Sequence, residues 1–91
     1  MLKELLMDTL IFSQAAIFRL HQLDNQYYHH TGERYRLANE NGILDLLENS
    51  ASIADRKIRR AYFAFIMELD KNQINALEER GVRLRLPANL H

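Results

Sequence analysis

A chain of 91 residues with 47% hydrophobic and 26% charged side chains is the size of one domain and too apolar to stay disordered. Twelve Lys and Arg balance twelve Asp and Glu, which excludes a whole-molecule field drawing the chain to nucleic acid or to a membrane. The absence of cysteine excludes a disulfide framework and a thiolate metal site, and it favours a reducing, cytoplasmic setting.

The spacing of apolar residues predicts a first helix over 2–28, with no Gly or Pro inside it. Leu2, Leu5, Leu6, Leu10, Phe12, Ala16, Ile17, Leu20 and Leu23 share one broad side. Met7, Ile11, Ala15 and Phe18 make a second stripe nearly opposite. A surface helix of a small monomer needs one apolar stripe, since its other side meets water. The second stripe therefore predicts a partner, most simply a second copy across a twofold axis. Glu4 and Asp8 interrupt the opening run, so it reads neither as a signal peptide nor as a membrane span.

His29, His30, Thr31 and Gly32 end this helix. Over 33–49 the pattern is mixed: Tyr35 and Leu37 alternate with Arg34 and Arg36, Asn39-Glu40-Asn41-Gly42 reads as a turn or a damaged helix interior, and the region as a whole is expected to be helical. Ile43, Leu44, Leu46 and Leu47 then resume a helix, with a kink expected at Gly42. Ser52, with Asp55 three residues on, resembles a capping arrangement for a third helix of about 17 residues. Its inward face is Ala54, Ile58, Ala61, Tyr62, Phe65, Ile66 and Leu69. Asp70 with Gln73 marks a second N-cap, for a short helix through Arg80 with Ile74 and Leu77 inward. Gly81 stands at its C′ position, with Val82 as the accompanying apolar contact. The tail from Val82 to Pro87 alternates as a strand does, and either pairs with the Tyr35 segment or lies as an arm on a neighbour.

The strongest local anomaly is Arg56, Lys57, Arg59 and Arg60, gathered in the first two turns of the third helix, where the helix dipole disfavours cations. Neutralisation by Asp45, Glu48, Asp55 and Glu68 is one expectation. The other is a phosphate-bearing ligand, because the preceding helix and four-residue turn have the layout of a helix-turn-helix. Phe63 and Met67 continue the line of Arg56 and Arg60 on the side away from the core, and so join the candidate interface.

Ile58-Arg59-Arg60-Ala61-Tyr62, followed by Asp70-Lys71-Asn72, resembles the second helix and loop of J-domain co-chaperones. That family works through a His-Pro-Asp tripeptide, where this chain has Glu68-Leu69-Asp70, so the resemblance transfers no activity.

For catalysis the chain offers no recognisable site, and no enzyme is expected. His29 and His30 diverge on a helix, no His-Glu-x-x-His occurs, and the three glycines are isolated, so neither a metal nor another cofactor is expected.

The expectation is an all-α fold of three to four helices, with a long N-terminal helix and a short extended C-terminal arm. It forms one domain over 1–91, with 82–91 as the tail. The expected function is a non-catalytic interaction or regulatory module acting as a homodimer, with room for a second protein partner and no membrane role. Its interface residues are Met7, Ile11, Ala15, Phe18, Phe63 and Met67. The alternative is a small nucleic-acid-binding regulator using Arg56, Lys57, Arg59, Arg60, Arg83 and Arg85.

Overall fold

The computed structural model describes residues 10–87, and they form four helices and no strand: α1 (Gln14–Thr31), α2 (Glu40–Ala51), α3 (Arg56–Ile66) and α4 (Lys71–Glu79). The all-α expectation holds, and the boundaries follow from the caps. Ser13 Oγ accepts the Ala16 N–H at 3.1 Å and starts α1, so residues 10–13 lie outside the helix. A serine at this position stabilises a start by about 1 kcal/mol, which is why the apolar run does not set the boundary. Ile11 and Phe12 are thus not on a helical stripe with Phe18; Met7 lies outside the described residues.

The third helix also starts later than the pattern suggests. Asp55, and not Ser52, is its N-cap, accepting the Ile58 N–H at 3.0 Å. Ser52 closes α2 instead, donating its hydroxyl to the Asn49 carbonyl. The helix is 11 residues long, because its last turn ends at Met67 and residues 67–70 lead directly into the next cap. There the sequence was fully informative. Asp70 Oδ1 accepts the Gln73 N–H at 2.8 Å, and Gln73 Oε1 accepts the Asp70 N–H at 2.9 Å, a reciprocal capping box.

Helix α1 lies antiparallel along α3. Phe12, just before α1, meets Phe65 edge-on at 5.6 Å, Arg19 pairs with Glu68 at 3.6 Å, and His30 approaches Asp55 at 3.9 Å. Between the two helices lies the core: Ala16, Leu20, Leu23 and Tyr27 from α1 against Ile58, Tyr62, Phe65 and Ile66 from α3. Leu46 and Leu47 of α2 and Leu77 of α4 complete it. Burying side chains of this size contributes roughly 1.5–3 kcal/mol each. Gln73 Nε2 donates to the Ile11 carbonyl at 2.7 Å, and Arg80 Nε to Glu40 Oε2 at 2.7 Å, so α4 spans from the entry of α1 to the start of α2.

After α4 the chain reverses at Gly81, whose φ of 92° is a conformation side-chain-bearing residues rarely adopt. Its N–H reaches the Glu78 carbonyl and that of Val82 the Leu77 carbonyl, which closes a Schellman motif with Val82 buried. The tail beyond pairs with no strand. Its alternation comes from a chain laid across its own helices: Leu84 packs on the core, the Arg85 N–H donates to Tyr62 Oη at 3.0 Å, and Arg85 Nη1 donates to the Ala51 carbonyl. Burial pushes the Tyr62 phenol up from its ordinary pKa, against the pull of the Arg85 N–H. Tyr62→Phe keeps the ring and removes only the acceptor. It should cost about 1 kcal/mol in a urea titration and raise amide exchange at Arg85; exchange equal to wild type would show that the tail is held by Leu84 and the Arg85–Ala51 hydrogen bond without it.

Candidate functional site: an apolar end and a basic face

Two surfaces stand out, and they divide the residues singled out from the sequence. The first is the end of the α1–α3 pair where α1 begins and α3 finishes. Ile11 is 74% exposed, Phe18 58% and Met67 56%. The Arg19–Glu68 ion pair brings the start of α1 beside the finish of α3, with Phe18 on the side of α1 opposite Ala16 and Leu20, and Met67 on the side of α3 opposite Ile58 and Tyr62. Ala15, one turn before Phe18, is exposed too and leaves room for a close approach. Next to these projections lies a groove of about 300 Å³, lined by Leu10, Phe12, Ile17, Leu20, Leu37 and Ile43, with His21 and Glu40 at its margin. Knobs and a hollow therefore sit side by side on one chain. Phe63, grouped with this stripe by sequence spacing, is half-buried against the Tyr62 ring and lies among arginines instead.

The second surface is the outer side of α3. Ile58, Tyr62, Phe65 and Ile66 point inward, and at about 100° per residue this leaves Arg56, Lys57, Arg59 and Arg60 on the outward arc. All four are exposed. Two of the four carboxylates expected to neutralise them are engaged elsewhere, since Asp55 caps the helix and faces His30 and Glu68 pairs with Arg19, while Asp45 and Glu48 are exposed on α2. Among the described residues, none of the four forms an ion pair. Arg83 is exposed as well, while Arg85 spends one guanidinium N–H on Ala51, holding the tail beside the α2–α3 turn.

One polar site escaped the sequence reading. Asp24 is buried, with Oδ1 accepting the Tyr35 N–H at 3.2 Å and Oδ2 accepting Arg34 Nη1 at 3.0 Å. Arg34 also donates to Asn25 and lies 4.3 Å over the Tyr28 ring. Beside it Tyr35 donates to the Tyr27 hydroxyl at 3.3 Å and accepts from Asn49 Nδ2 at 2.6 Å. The hydrogen bond to Tyr35, then burial, hold the Tyr27 phenol up at about 12, since one member of such a pair must ionise against the other. This network fastens the 33–36 loop and brings no nucleophile or acid–base pair to a cleft. The signal for it was present: Asp24 sits on the same stripe as Ala16, Leu20, Leu23 and Tyr27, where a carboxylate has to find donors.

Among the described residues no group of three or more His, Cys, Asp or Glu is arranged to hold a metal ion, and no helix is long and apolar enough to cross a membrane. No protein-family model matches the chain, and comparison with curated proteins and with solved structures finds no match either, so the two surfaces are what bears on function.

Proposed function

We propose that the protein is a non-catalytic helical interaction module of the cytoplasm that works as a homodimer, joined through the apolar end of α1 and α3. The observation behind this reading is the exposure of Ile11 and Phe18 around the start of α1, beside an apolar groove, with Met67 exposed at the finish of α3. Single exposed apolar side chains are ordinary, but several in one patch mark an interaction site. A second copy is the fitting occupant for a geometric reason. In a twofold contact, residue i meets j while j meets i, so a chain that carries projections next to a hollow satisfies both halves of the contact with itself. The zero formal net charge sets no long-range repulsion between copies.

Sedimentation equilibrium at micromolar concentration tests the assembly. Wild type should sediment at twice the 10.7 kDa chain mass, and Phe18→Glu and Met67→Glu each at the single-chain mass with unchanged helical circular dichroism. Wild-type protein at 10.7 kDa throughout the concentration range would end the proposal.

A further inference from the structure

We infer that the outer face of α3, extended by the 82–87 tail, binds the phosphodiester backbone of a nucleic acid. This is a different face from the apolar end and does not depend on it. The argument begins with charge placement. α3 carries four cations and no acid, and 82–87 adds two arginines and no acid, so six of the twelve Lys and Arg lie here. By contrast, α2 carries Glu40, Asp45 and Glu48 and no base. The neutral sum hides a segregated surface.

The tail is tied to the same helix. With the Arg85 N–H on Tyr62 Oη and its guanidinium on the Ala51 carbonyl, it lies against the Tyr62 flank of α3 and the end of α2. On the opposite flank Lys57 and Arg60 border a groove shared with Arg19 of α1. The acids near this surface are Asp55, turned into its capping bond and His30, Glu68, paired with Arg19, and Glu48 close to Tyr62. Repeating charge is what this arrangement matches, because a polynucleotide offers an anion at every step along its backbone. Five of the six cations are arginines, whose planar fork engages two phosphate oxygens at once. Phe63 lies among Arg56, Arg59 and Arg60, an aromatic edge available to a base. An acidic protein would supply carboxylates without that repeat and is the outcome the test must separate.

Fluorescence anisotropy of the full chain with a labelled mixed-sequence duplex, and separately with the corresponding single strand, makes that separation. Engagement of about four phosphates predicts a roughly 100-fold weakening between 50 and 200 mM salt. Replacing Arg56, Lys57, Arg59 and Arg60 together by Gln should abolish binding, and the pair Arg56→Gln with Arg60→Gln should weaken it at least tenfold. Lys71→Gln, on α4, should leave it within twofold. A preference for duplex or for single strand identifies which backbone the face fits. No anisotropy change at 50 mM salt, undiminished binding by a folded quadruple variant, or equal competition by polyglutamate at matched charge would each overturn the assignment.

Discussion

Gly42→Ala should unfold the protein at a temperature roughly 12–24 °C below wild type. The expectation runs against helix propensity, which is what makes it informative. Gly42 lies in the first turn of α2, where Ala is intrinsically better than Gly by about 1 kcal/mol. A Cβ placed there, however, runs into the Arg36 carbonyl oxygen and comes within 2.8 Å of its carbon and 3.1 Å of the Arg36 nitrogen. Overpacking against side chains costs typically 1–3 kcal/mol, and a side chain can rotate aside. A backbone carbonyl cannot, and this one also accepts the Asn39 N–H that precedes the helix. The loop must therefore lift away from α2, for a net loss of about 3 kcal/mol, at 4–8 °C per kcal/mol for a domain of this size. Thermal denaturation by circular dichroism measures it. Gly81→Ala, where the difficulty is conformation and not space, should cost only about 1 kcal/mol. A Gly42→Ala protein as stable as wild type would mean that Arg36 does not press on α2.

The second large effect is expected at Asp24, which is only 5% exposed and takes its donors from the loop after α1. Asp24→Ala leaves the Tyr35 N–H without its partner and frees Arg34, for a predicted loss of about 2–3 kcal/mol in urea titration. The two contributions are separable. The Arg34 side chain is half exposed, so water compensates it well and the ion pair alone is worth less than about 1 kcal/mol. Asp24→Asn keeps an oxygen for Tyr35 while discarding the charge, and should recover most of the stability. If Asn proves as damaging as Ala, the charge and not the acceptor is what holds the loop.

These two positions also show what the sequence allowed and what it withheld. Asp70 with Gln73, and Gly81 with Val82, were legible because capping chemistry is local: donors and acceptors lie within a few residues of each other. The core face of α3 was legible for the same reason, from helical spacing alone. Boundaries failed where two candidates competed. Ser52 and Asp55 can both cap, and α2 consumes the serine before α3 begins. Apolar pattern alone also carried α1 back through residues that Ser13 places outside the helix. The 33–42 stretch resisted because its conformation is dictated from elsewhere, by Asp24 ten residues earlier and by Gly42 after it. Helical spacing and strand-like alternation both mislead there: 33–39 forms neither, because Arg34 and Tyr35 both answer to Asp24 while Leu37 packs on the core.

Of the two surfaces, the positions were readable and the surroundings were not. Spacing put Arg56, Lys57, Arg59 and Arg60 together, but whether Asp55 and Glu68 neutralise them depended on which donors those acids meet in space. Phe63 and Met67 share a helical line, and only the fold shows that one lies among arginines while the other projects at the apolar end.

The opposite loading of α2 and α3 gives an uncharged molecule a permanent electric dipole. Near any strongly charged object such a body feels a torque even where it feels no net pull, and it turns its arginines toward negative charge before contact. The orienting field fades over the screening length, about 8 Å at physiological salt, so this alignment shapes the last few ångströms of an encounter and leaves long-range diffusion unbiased.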